Sequence, residues 1–134
     1  MKLYVKASMN YDDLSKICKP IQAEIINALK EVNSNIEWWN NHYRDNKDGT
    51  IRVSFKVQDY RPFGNGEPVD QECNSAKEAK AVMLDAISRC SKKLQDSVVK
   101  VTCGSDGERG RHFFIVSIII RPSTNDYYGV HDIE

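Results

Sequence analysis

The chain has 134 residues, 40% apolar and 28% charged, a balance that suits one compact domain and excludes a chain disordered throughout. Lysine plus arginine equals aspartate plus glutamate at 19 each, so the formal net charge is zero and coating of duplex DNA by bulk charge is disfavoured. A basic patch balanced by acids elsewhere stays compatible with that total.

The opening MKLYVKAS alternates Leu3, Val5 and Ala7 with Tyr4, Lys6 and Ser8, the period of a short half-buried strand. Its apolar core is too short for a secretory signal, and no run reaches membrane-spanning length, which predicts a soluble cytoplasmic protein. Asp12 or Asp13 is placed to cap a helix whose stripe is Leu14, Ile17, Ile21, Ile25, Ala28, Leu29 and Val32. Pro20 falls inside that stripe and predicts a kink, or the start of the longer half.

Two β-type runs, IEWWNNHY and IRVSFKVQDY, flank a turn marked by Asp48-Gly49, which predicts a hairpin. In the second run Ile51, Val53, Phe55 and Val57 share one face, and Arg52, Ser54, Lys56 and Gln58 share the other. Strict alternation in the first run turns Ile36 and Trp38 inward and Trp39 and Tyr43 outward.

A long connection follows, with Pro62, Gly64, Gly66 and Pro68. Arg61 beside Gly64, Asn65 and Gly66 has the makings of a backbone nest for an anion, or of a plain surface turn. Ser75 and Glu78 form a capping box. The helix stripe then runs through Ala79, Val82, Met83, Ala86, Ile87, Cys90 and Leu94.

VVKVTC and HFFIVSIII make a second hairpin around GSDGERGR. The last strand is apolar on both sides: Phe114, Val116, Ile118 and Ile120 on one, Phe113, Ile115 and Ile119 on the other. Such a strand is covered twice, or it meets a second copy in a homodimer through Phe113, Ile115 and Ile119. The tail 123–134 is polar and aromatic and reads as loosely ordered.

The order is thus β(αββ)(αββ) in a single α+β domain, with units at about 11–62 and 75–122 and a tail at 123–134. Its first six elements follow a ferredoxin-like order with a strand added at an edge. One antiparallel sheet with two helices on one face is predicted. Arg61-Pro62 and Arg121-Pro122 end corresponding strands, where proline cannot extend a ladder. Ile21, Ile25, Ala28 and Val32 superpose on Met83, Ile87, Cys90 and Leu94, which points to an internal duplication; two separately arisen units are the alternative.

Chemistry-bearing patterns are sparse. Cys18, Cys73, Cys90 and Cys103 include no CxxC, and His42, His112 and His131 sit in no nucleophile or metal motif. No enzyme, metal or cofactor is expected on that basis. The sheet face opposite the helices is the most informative surface, carrying Trp39, Tyr43, Arg52, Lys56 and Phe113, with Arg61 in the adjoining loop. Aromatic and cationic groups together suit a protein interface. They also suit stacking of single-stranded nucleic acid, and a solvated face with scattered aromatics is the plain alternative. A third reading is a nucleotide-ligand-binding protein or small enzyme that uses Gly64, Asn65 and Gly66.

The opening MKLYVKAS, with the short acidic helix start behind it, resembles openings of small phage and mobile-element proteins of Gram-positive bacteria. That group includes anti-CRISPR and other anti-defence inhibitors. The resemblance implies a non-enzymatic inhibitor of a bacterial defence complex, acting by protein–protein contact in the host cytoplasm.

Overall fold

A computed structural model describes residues 2–6, 10–58, 76–108, 111–122 and 128–132, with side chains for 10–57, 76–104 and 113–122. Chain order is β1 (Lys2–Lys6), α1 (Tyr11–Val32), β2 (Trp38–Asp45), β3 (Ile51–Gln58), α2 (Ala76–Ser88), α3 (Lys92–Ser97), β4 (Val98–Glu108), β5 (Arg111–Ile120) and β6 (Tyr128–Asp132). The mixed α+β class is as the periodicities predict.

The strands divide into an antiparallel four-stranded sheet, β2-β3-β5-β4, and a separate two-stranded pair, β1-β6. A ferredoxin-like arrangement would need β1 inside the main sheet. Here β1 pairs antiparallel with β6, Lys2 opposite Asp132, and β3 pairs directly with β5. The tail expected to be loose therefore contains a strand. Short alternating segments specify their face but not their partner, and so β1 was assignable as a strand and not to a sheet.

Among the described residues three helices stand where two are predicted. α1 is capped by Asn10, whose Oδ1 accepts from the Asp13 N–H at 2.9 Å; Asp12 and Asp13 lie in the first turn, where carboxylates favour the helix dipole. The helix continues through Pro20. The second helical run breaks after Ser88, and α3 restarts with Ser91 as its N-cap, its hydroxyl accepting from the Leu94 N–H. Glu24 on α1 accepts from both the N–H (3.1 Å) and the hydroxyl (2.8 Å) of Ser91, which fixes the break against the first helix. The Ser75 half of the capping box lies outside the described residues.

The hairpin at Asp48-Gly49 forms as read: Gly49 takes φ 90° and Lys47 φ 62°, both left-handed. Asp48 Oδ1 accepts from the Thr50 N–H at 2.9 Å and from the Thr50 hydroxyl, and these bonds hold its carboxyl below the usual range. In the second hairpin, β4 runs to Glu108, so the Gly104 to Glu108 part of the expected turn is strand.

The core lies between helices and main sheet. Ile51, Val53, Phe55 and Val57 of β3 and Phe114, Val116, Ile118 and Ile120 of β5 are buried against Leu14, Cys18, Ile25, Leu29, Ala79, Met83 and Ile87. Each large aliphatic side chain so buried contributes about 1.5–3 kcal/mol. Ile17 and Ile21, expected in the α1 stripe, are only half-buried; the buried line follows Leu14, Cys18, Gln22, Ile25 and Leu29 instead.

Candidate functional site

The sheet face turned away from the helices is built in rows, because residues paired across an antiparallel sheet share a face. Trp39 pairs with Lys56, Lys56 with Ile115, and Ile115 with Gly104. The next row is Ser54, Ser117 and Thr102, and the third is Arg44, Arg52, Ile119 and Lys100.

The structure brings Trp39, Lys56 and Phe113 together. Lys56 Nζ stands 4.2 Å from the centroid of the Phe113 ring. Trp39 meets the same ring edge-on, with centroids 6.3 Å apart. Among the described residues Trp39 is one of few large apolar side chains with substantial exposure, at 36%. Arg52 lies two rows along, with exposed Arg44 directly opposite. Its Nε is buried and has no hydrogen-bond partner among the described residues. Between the two ends, Ser54 and Ser117 are buried and hydrogen-bond through their hydroxyls at 3.0 Å.

Tyr43 does not join this face. The β2–β3 register shifts between Asn40 and Tyr43, so that Tyr43 pairs with Val53, whose side chain faces the helices. The extra residue of a β-bulge reverses the alternation beyond it. Tyr43 instead stacks on Tyr11 of α1, centroids 5.7 Å apart, donates to the Tyr11 hydroxyl at 3.1 Å and shares a short hydrogen bond with Ser15. Those hydrogen bonds, that with Ser15 first, lower the Tyr43 phenol below its ordinary value, and Tyr11 is raised in turn. The same bulge puts Arg44 on the far face in its place, a residue strict alternation excludes.

Arg61, Gly64, Asn65 and Gly66 lie outside the described residues. Of the suggested dimer residues, Phe113, Ile115 and Ile119 do share the far face and are half-buried. Among the described residues no group of three or more potential metal ligands occurs. Cys18, Cys90 and Cys103 are free thiols whose pKa values burial raises, that of Cys18 to about 12 and that of Cys90 to about 11. Such thiols are poor nucleophiles at neutral pH. No helix among the described residues is long and apolar enough to cross a membrane.

A groove of about 470 Å³ lies on the helical side, between α1, α3 and the end of β5. Ile17, Pro20, Ile21, Leu94 and Pro122 contribute its apolar walls, and Lys16, Glu24, Asp96 and Arg121 are among its polar ones. Sequence reasoning missed it, although its signal was present: Ile17 and Ile21 stand on one side of the buried line of α1, beside a mid-helix proline.

No known protein family, curated protein or solved structure matches the chain.

Proposed function

We propose that this chain is a non-enzymatic binding protein whose far sheet face, centred on Trp39, Lys56 and Phe113 and extended by Arg44 and Arg52, engages an acidic protein surface. The observation that carries this reading is the charge of the face. Arg44, Arg52, Lys56 and Lys100 share it, and the acids that the register adds, Asp106 opposite Phe113 and Glu108 opposite Arg111, stand only at its far end. A protein is favoured over single-stranded nucleic acid because Lys56 already covers a face of the Phe113 ring, leaving less flat surface for a base.

The resemblance of the opening segment assigns the partner, in this reading, to a bacterial defence complex in the host cytoplasm. The free thiols are compatible with a reducing compartment. We also infer that the αββ units arose by duplication. In support, β3 and β5 pair around Ser54 and Ser117, with Ile51 opposite Ile120 and Val57 opposite Phe114, while α1 packs on β2 and α2 on β4.

The test is capture from bacterial lysate with the wild-type chain and with Arg52→Glu/Lys56→Glu. A specific protein retained by the first and lost by the second supports the site. Equal capture by both removes it. Titration with short single-stranded DNA and RNA at low salt decides against the protein reading if binding is tight and weakens steeply with added salt.

A further inference from the structure

We propose that the groove between α1, α3 and the end of β5 is a second binding site, and that it takes an extended apolar peptide segment bearing carboxylates. It lies on the helical side of the sheet and does not depend on the far-face reading.

Its walls set the first requirement. Ile17, Ile21 and Pro122 are half-buried and Pro20 is exposed, so the groove offers apolar surface to an occupant. A cleft of about 470 Å³ with mainly apolar walls and a few polar groups is the usual form of a ligand site.

Pro20 sets the second. A proline inside a helix brings no N–H to the carbonyl one turn earlier and pushes that carbonyl aside. Here that carbonyl belongs to Lys16, and both Lys16 and Pro20 line the groove. A residue that lines the groove thus carries a backbone acceptor without its helical donor. A fatty acid or other hydrocarbon chain has no N–H to give it; a peptide backbone does.

Charge sets the third. The two acids on the rim are engaged within the protein: Glu24 accepts both bonds from Ser91, and Asp96 pairs with Lys92 at 2.9 Å. Lys16 and Arg121 have exposed side chains and form no ion pair among the described residues. Arg121 helps lower the Asp48 carboxyl only through space. Lys16, Lys93 and Arg121 set three cations at the groove against Glu24 and Asp96, so its lining is net cationic and carboxylates complement it. The Arg121 backbone is itself held, its N–H donating to the Ser97 carbonyl at 2.8 Å.

The probe is a fluorescein-labelled hexapeptide of alternating leucine and aspartate, followed by fluorescence anisotropy. Binding with a Kd on the order of tens of micromolar is expected, weakening with added salt. Lys16→Glu/Arg121→Glu should weaken it by more than about tenfold. Pro20→Ala is the sharper variant, because it returns a donor to the Lys16 carbonyl. It should raise the thermal midpoint and weaken the peptide by about fivefold together, a combination that simple loss of fold does not produce. No binding, or affinity unchanged in either variant, overturns the proposal. Equal or tighter binding of a medium-chain fatty acid at the same residues, mapped by amide shifts of Lys16 to Glu24, overturns the peptide assignment.

Discussion

Ser54 and Ser117 are polar residues enclosed at the junction of the two central strands, and each satisfies the other. A buried hydroxyl deprived of its partner costs about 1–3 kcal/mol, whereas removing both leaves nothing unpaired. Ser117→Ala alone should therefore destabilise the fold by that amount. Adding Ser54→Ala should cost less than the two single losses summed, as read by urea unfolding of all four proteins. Strict additivity would mean that the hydroxyls are not coupled. Cys18 gives a second residue-scale expectation. Burial pushes its thiol up to about 12, while in the unfolded chain it ionises near its ordinary value of 9.0. Below that ordinary value the thiol is protonated in both states and its contribution is fully present. Above it, the unfolded chain releases a proton that the folded chain keeps, so stability falls as pH rises toward about 12. Urea midpoints at neutral and at alkaline pH should diverge for the wild type and diverge less for Cys18→Ser. An unchanged pH dependence in the variant would exclude Cys18 as a source.

At the scale of elements, the bulge in β2 decides which aromatic residues are available to a partner. Tyr43→Phe should lower the thermal midpoint, through loss of the bonds to Ser15 and Tyr11, and leave capture at the far face unchanged. Trp39→Ala should do the reverse, impairing capture with little effect on the midpoint. If Tyr43→Phe abolished capture at unchanged stability, Tyr43 would belong to the far face after all. Much of this level was legible in the sequence. Periods of 2 and 3.6 residues marked both hairpins and the long helices, and alternation put Arg52, Lys56 and Phe113 on one face because β3 and β5 are regular. Tyr43 was misplaced because a bulge adds a residue that no local pattern marks in WWNNHYRD. The helix break at Ser91 was missed for a different reason: half of what fixes it, Glu24, lies far away in the chain. The groove escaped because Ile17 and Ile21 have helical spacing whether they face a core or a cleft.

On the scale of the whole molecule, the two αββ units meet through β3 and β5, and the chain is drawn together again by β1 and β6. Pairing of Lys2 with Asp132 leaves the first and last described positions about 5 Å apart, the spacing of antiparallel neighbours. A covalent link of a few Gly and Ser residues that joins the two termini thus connects the neighbouring ends of β1 and β6. New ends can then be opened in the connection between β3 and α2, where the cut falls between the two units in sequence and leaves each αββ unit whole. A chain so permuted keeps every pairing of both sheets. It should unfold in one cooperative transition, with a midpoint close to that of the parent and with the same relative loss of capture on Arg52→Glu/Lys56→Glu. Two separate transitions would instead mean that the units are held together by their connection and not by the β3–β5 ladder.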